Sequence, residues 1–192
     1  MARPILIDTD AGVDDALALI LALRSPEARV EAITTVAGNV EVQLCTRNVH
    51  RVLEIVEPRR APRVAQGASH PLQRKLITAP EVHGDDGLGN TLPKLRTTLR
   101  VRNLAVQEII SFCTRWQRRG TIISLGPLTN IALALRKNKA ALKNAGSIIS
   151  MGGAFFVPGN TGPVAEFNYF VDPEAVKEVL ASGVRLTIVP LN

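Results

Sequence analysis

The sequence predicts an α/β fold, an open and mostly parallel sheet with helices on both faces. Two patterns carry that expectation. Short runs of Val, Ile and Leu alternate with longer segments of helical apolar spacing along the whole chain. No internal repeat, low-complexity linker or shift in composition divides them, so one domain over residues 1–192 is expected. A chain of 192 residues with 46% hydrophobic side chains can bury a sizeable core, and two domains cut from it would both be small.

Taken in order, Pro4-Ile5-Leu6-Ile7 is a short apolar run expected to be a buried strand, and Asp15 to Leu23 has helical spacing. Val30 to Val36 is a second strand closed by Gly38-Asn39. Glu41 to Val56 is a helix with Leu44, Val49, Val52, Leu53 and Val56 on its apolar stripe. Arg63-Val64-Ala65 is a third strand. Residues 67 to 100, rich in Gly, Pro, Asp and Asn, form a long loop, and loops of that length inside a compact domain are usually functional. A helix over Asn103 to Arg118 and a strand over Thr121 to Leu125 follow. Pro127 starts a helix that runs to about Arg136. Ser147 to Met151 is a fifth strand. Asp172-Pro173-Glu174 is a strong helix start, with a capping Asp, Pro at the first helical position and an acid in the first turn. That helix stops at Gly183, and Arg185 to Val189 is a sixth strand.

The bulk chemistry narrows the classes. No apolar run is long enough for a membrane span, and no secretory signal precedes the first strand, so the expected compartment is the cytoplasm. Cys45 and Cys113 match no metal or redox spacing and are expected to be reduced thiols. The net charge of +6 is scattered. Its small groups are Arg59-Arg60-Arg63 and Arg115 to Arg119, the latter on an amphipathic helix where a charge run is usually a solvated face. No aromatics interleave with them, so no nucleic-acid partner is expected.

Acidic residues, by contrast, are concentrated. Asp8, Asp10, Asp14 and Asp15, four of the seventeen acids, lie within eight positions just past the first strand. A helix N-terminus favours a negative charge by only ~0.3–1 kcal/mol. It cannot keep four neighbouring carboxylates ionised, so either some are protonated or a cation sits among them. With no His or Cys nearby, the hard oxygen donors suit Ca²⁺ or Mg²⁺. The plainer alternative leaves Asp14 and Asp15 as helix caps and Asp8 and Asp10 in solvent, although a cap needs only one carboxylate. An EF-hand fails on spacing, since Leu19 stands where its closing Glu belongs. Asp8-Thr9-Asp10 resembles the DxD motif of haloacid-dehalogenase-like phosphatases. That motif wants Thr or Val where this chain has Gly12, and it gives Asp14 and Asp15 no task.

The full run DTDAGVDDALAL, residues 8–19, resembles the nucleoside hydrolase signature DTDxGxDDxxAL. Further stretches match the same family in order: Thr35-Val36-Ala37-Gly38-Asn39, then His83-Gly84-Asp85-Asp86-Gly87-Leu88-Gly89, then Leu125-Gly126-Pro127-Leu128-Thr129-Asn130-Ile131-Ala132. A last series runs from Met151-Gly152-Gly153 through Gly159-Asn160 and Ala165-Glu166-Phe167-Asn168 to Asp172-Pro173-Glu174-Ala175. The resemblance covers nearly the whole chain. It implies a Rossmann-like fold and hydrolysis of the N-glycosidic bond of ribonucleosides by a calcium-bound water, with Asp10 as general base.

By position, the resemblance makes Asp10, Asp15 and the Leu125 carbonyl the Ca²⁺ ligands. It gives Asp14, Asn160, Glu166 and Asn168 to the ribose hydroxyls, puts Asn39 beside the metal and water, and has Asp8 support the metal loop. His83 is either a hydrogen-bonded loop residue or part of the base pocket. One of the aromatics crowded into residues 155–170 could stack on the base. Members of the family continue beyond the equivalent of Asn192. The expected fold is therefore incomplete at its C-terminus, without a late Asp of the calcium site and a His near the leaving base. A non-catalytic chain that keeps a nucleoside or calcium pocket is the second expectation. The partner implied is a small ribonucleoside, with no membrane and with homo-oligomers when full length.

Overall fold

A computed structural model describes residues 2–91, 95–96 and 101–192. Among them six strands form one sheet: β1 (Arg3–Thr9), β2 (Ala28–Thr35), β3 (Arg63–Gln66), β4 (Thr121–Ser124), β5 (Ser147–Met151) and β6 (Leu186–Val189). Their order is β3-β2-β1-β4-β5-β6 and every pairing is parallel. The expected "mostly parallel" sheet is thus wholly parallel among the described residues. The strand order reverses beside β1, and the crevice outside the carboxyl ends of β1 and β4 is where such sheets bind ligands.

Among the described residues there are seven helices: α1 (Val13–Arg24), α2 (Val42–Val56), α3 (Pro80–His83), α4 (Ala105–Trp116), α5 (Thr129–Lys143), α6 (Phe167–Val171) and α7 (Pro173–Ala181). Alternation along β1 divides the core. Ile5 and Ile7 pack with Leu19 of α1 and Val49 and Val52 of α2. Leu6 joins Ile109 and Phe112 of α4, Ile131 of α5 and Val179 of α7 on the other face. A strand buried on both faces carries an unbroken apolar run, which is why Pro4 to Ile7 announces itself.

The differences from expectation have local causes. The helix expected to end near Arg136 does break there, where Asn138 leaves helical geometry (φ −154°, ψ 78°); what was not expected is a second segment to Lys143, started by Asn138 Oδ1 accepting from Ala141 N at 3.0 Å. The helix expected over residues 103–118 begins at Ala105 and gives way after Trp116 to a 3-10 turn, Gln117–Arg119. The loop expected over 67–100 contains the turn α3, while residues 92–94 and 97–100 of it lie outside the described residues. α6 was not expected at all. Asp172 caps α7 as predicted, accepting from Ala175 N at 3.0 Å. It also accepts from Leu72 N at 2.9 Å and Thr129 Oγ1 at 2.6 Å, joining α5, α7 and the long loop at a fully buried point. No helix among the described residues is long and apolar enough to cross a membrane.

Candidate active site

β1 delivers its acids to the carboxyl edge of the sheet. Asp8, Asp10 and Asp15 are all buried, and no Lys or Arg pairs with them among the described residues. Asp8, on the same face of β1 as Leu6, accepts from Thr34 Oγ1 at 2.5 Å and Asn130 Nδ2 at 2.8 Å. Asn130 also donates to Thr35 O at 2.9 Å and accepts from Ala68 N at 2.9 Å. Asp8 therefore ties the start of α5 to β1, β2 and the long loop, and burial pushes its carboxyl up to about 7.

Beyond Asp8 the chain turns sharply. Ala11 sits at φ +42°, a left-handed conformation that costs a non-glycine residue roughly 1–2 kcal/mol. It is held from two sides: Ala11 N donates to Thr9 Oγ1 at 3.0 Å, and Ala11 O accepts from Asn48 Nδ2 at 3.1 Å. Backbone strain fixed this way is a common property of functional turns. The turn presents Asp10 at the sheet's edge and starts α1, where Asp15 accepts from Thr9 Oγ1 at 2.6 Å and reaches back to Gly12 N at 2.9 Å. Asp15 thus does part of the capping work of the plainer reading while remaining buried beside Asp10.

Asn39 links the two acids. Its backbone N–H donates to Asp10 Oδ2 at 2.8 Å and its side-chain amide to Asp15 Oδ2 at 3.3 Å. Asp10 Oδ1 is buried with no partner. Burial, and then the charge of Asp15, push the Asp10 carboxyl well above the usual carboxylate range; burial likewise raises Asp15. Two glycines wall Asp10 in. A Cβ at Gly38 would lie 2.1 Å from Asp10 Oδ2, and one at Gly126 would lie 2.8 Å from Oδ1. Cys45 Sγ donates to Asp10 O at 3.0 Å from beneath.

A cavity of about 270 Å³, near the lower edge of the range for small-molecule sites, opens above these acids. Asp14, Asp15, Asn39, His83, Leu125, Asn160, Glu166 and Asn168 all line it, so eight of the nine sequence-expected site residues converge. Asp10, the ninth, is enclosed behind Asn39. Asp14 and Asn160 are the exposed members, Asp14 with 79% of its side chain accessible. His83 is a hydrogen-bonded loop residue that also lines the cavity: its Nδ1 accepts from Val13 N at 3.2 Å, which holds α3 against the start of α1.

On the far wall, Glu166 caps α6. Its Oε1 accepts from Asn168 N at 2.8 Å, and its Oε2 accepts from Gly153 N at 3.0 Å and Tyr169 N at 3.1 Å. Asn168 Nδ2 donates to Leu125 O at 2.7 Å, and Asn160 Oδ1 accepts from Phe167 N at 2.9 Å. Of the crowded aromatics, Phe167 lines the cavity. Phe156 is 90% exposed, and Tyr169 is packed against Gly152. Two larger depressions, of about 630 and 490 Å³, lie at the amino-terminal ends of the strands, away from the acids.

The donor set tests whether a hard cation fits. Asp10 Oδ1, Asp15 and the Leu125 carbonyl are oxygen donors, and the orphaned Oδ1 is a buried acceptor waiting for a partner. Among the described residues no group of three His, Cys, Asp or Glu side chains makes a metal cluster by itself. A Ca²⁺ shell takes roughly six to eight oxygens, so these three donors would supply only part of it. The sequence reading gave Thr9, Thr34, Asn48 and Asn130 no role, although Thr9 and Asn130 stand inside the quoted motifs.

Residues 5–192 match the family model described as inosine-uridine preferring nucleoside hydrolase. The pyrimidine-specific ribonucleoside hydrolase RihA of Escherichia coli is 43% identical over 194 residues, covering all of this chain and 61% of its own length. The solved plant nucleoside hydrolase PpNRh1 superposes with a TM-score of 0.94 at 39% identity, over 100% of this chain and 61% of that one. The purine-preferring ribonucleoside hydrolase from Gardnerella vaginalis gives a TM-score of 0.89 at 31% identity, over 98% of this chain and 61% of that one. The chain thus spans about three fifths of the length of the relatives it matches.

Proposed function

Because this chain belongs to the inosine-uridine preferring nucleoside hydrolase family, we propose that it serves to hydrolyse the N-glycosidic bond of ribonucleosides to free base and ribose. The observation that carries the reading is Asp10, a buried carboxylate walled by Gly38 and Gly126, with one oxygen held by Asn39 and the other unpartnered. Asp10 Oδ1 takes a proton from the attacking water, whose oxygen bonds to C1′ of the ribose. The C1′–N bond breaks with its electron pair going to the base, which takes a proton from solvent as it leaves, and Asp10 returns its own proton to solvent. The ribose passes through an oxocarbenium-like state, which anionic groups on both sides of the cavity stabilise.

Ca²⁺ suits the oxygen donors of Asp10, Asp15 and Leu125, and when bound its charge would hold the otherwise raised Asp10 carboxyl ionised and make water more acidic. Asp14, Asn160, Glu166 and Asn168 are suited to the ribose hydroxyls. Glu166 Oε1, with one hydrogen bond accepted, retains a lone pair for a hydroxyl donor. The relatives differ in the base they name, one pyrimidine-specific and one purine-preferring. The ribose half of the site is therefore what this reading commits to. A cytoplasmic setting, suited to the two unpaired thiols, and a homo-oligomeric assembly complete the proposal.

The test is release of free base from uridine and inosine beside their 2′-deoxy counterparts. A site that hydrogen-bonds the hydroxyls should favour the ribonucleosides by about 10⁴ in kcat/KM. Equal rates would remove the ribose assignments, and no release from any nucleoside would remove the function.

A further inference from the structure

Arginines that are scattered in the sequence gather at the amino-terminal pole of the sheet, the end opposite the acids. Trp116, at the end of α4, has three guanidinium groups over its ring: Arg29 at 4.5 Å, Arg115 at 5.2 Å and Arg119 at 5.7 Å from the centroid. Beside it opens the depression of about 630 Å³, bounded by the starts of β1, β2, β4 and β5. Arg3, Arg29, Arg118 and Arg119 line it, and no carboxylate among the described residues does.

The acid at this end of β2, Glu31, is already shared by Arg29 at 2.7 Å and Arg60 at 3.2 Å. Arg3, Arg115, Arg118 and Arg119 have no acidic partner among the described residues. Trp116 Nε1 is a buried donor without an acceptor. Gathered like charges repel unless an anion joins them, and planar guanidinium forks ordered on an aromatic ring are pre-set for a multidentate oxyanion.

We infer that this pole is a binding site for a small phosphate-bearing molecule, separate from the hydrolase cavity and independent of its reading. The volume lies in the range of small-molecule sites and exceeds what a bare ion fills. A nucleic-acid strand is disfavoured, because the ring that would stack bases is already covered by arginine.

Trp116 is the only tryptophan in the sequence, so its fluorescence reports on the site directly. The protein is titrated at constant ionic strength with ribose 5-phosphate, inorganic phosphate, neutral ribose and a single-stranded oligonucleotide, with calorimetry in parallel. Ribose 5-phosphate should give a saturable change and ribose none. Arg118 and Arg119 are exposed, so Arg118→Gln/Arg119→Gln should keep the melting temperature and weaken binding about tenfold or more. Saturable binding of inorganic phosphate alone, weakened equally by the double variant, would support the site with the free ion as its occupant. No saturable binding, unchanged affinity in the variant, or binding of the oligonucleotide alone would overturn the inference.

Discussion

Replacing Gly38 with alanine would put a methyl carbon 2.1 Å from Asp10 Oδ2 and 2.9 Å from its Cβ and Cγ. Ordinary contact begins near 3.4 Å, so carboxylate and methyl must separate by more than an ångström. Backbone geometry does not forbid alanine here, since the φ of Gly38 lies outside the left-handed region. Asp10 is the group that yields, and turning it away breaks the 2.8 Å bond from Asn39 N and leaves a buried donor bare. That loss and the overpacking should cost about 1–3 kcal/mol, a fall in Tm of roughly 2–12 °C for a chain of this size. A misplacement of about an ångström should lower kcat about 10²-fold. Gly183→Ala is the comparison. Its φ of +78° brings a strain of roughly 1–2 kcal/mol, far from the acids. Base release and thermal melting are measured on both. Gly38→Ala should lose turnover out of proportion to its Tm, whereas Gly183→Ala should lose Tm only. Equal turnover in the two variants would refute the idea that the glycine wall positions Asp10.

Two further outcomes follow from the same geometry. Ca²⁺ at millimolar concentration should raise the Tm of the wild-type chain, because a ligand of the folded state stabilises by mass action, and Asp10→Ala or Asp15→Ala should abolish the rise; no shift in the wild type would remove the metal. Asp172→Ala strands the donors of Leu72, Thr129 and Ala175, and should cost about 3 kcal/mol or more, roughly 6–12 °C of Tm read by calorimetry; a loss under about 1 kcal/mol would deny it the role of a joint between α5, α7 and the long loop.

The sequence disclosed what local chemistry determines. Buried parallel strands are near-continuous apolar runs, which made β1, β4 and β5 visible, while β3 and the half-exposed β6 showed only as short β-branched stretches between turn residues; Asp172-Pro173 marks a helix start without help from the fold. α6 was invisible because five aromatic-rich residues carry no helical period; the side chain of Glu166 starts it by accepting from Asn168 N and Tyr169 N. The extension of α5 was hidden by Lys137-Asn138-Lys139, a polar run that reads as an ending and acts as a second start. The acids of the site were legible because like charges crowded in eight positions demand an explanation. Their supports were not: Asn130 lies 122 positions from Asp8, and Asn48 lies 37 from Ala11. Arg115, Arg118 and Arg119 are exposed, the solvated face the sequence predicts, while Arg3 and Arg29 join them around Trp116 from other strands, a gathering that no local pattern encodes.

The general-base role of Asp10 is tested most directly by Asp10→Asn. The amide keeps the shape of the side chain and can still accept from Asn39 N, so the site stays assembled while the proton acceptor is lost. Steady-state release of base from a ribonucleoside, with kcat and KM resolved, should show kcat lower by about 10²–10⁴ and KM within a few-fold of the wild type. Turnover within tenfold of the wild type, or a loss carried by KM alone, would contradict the account.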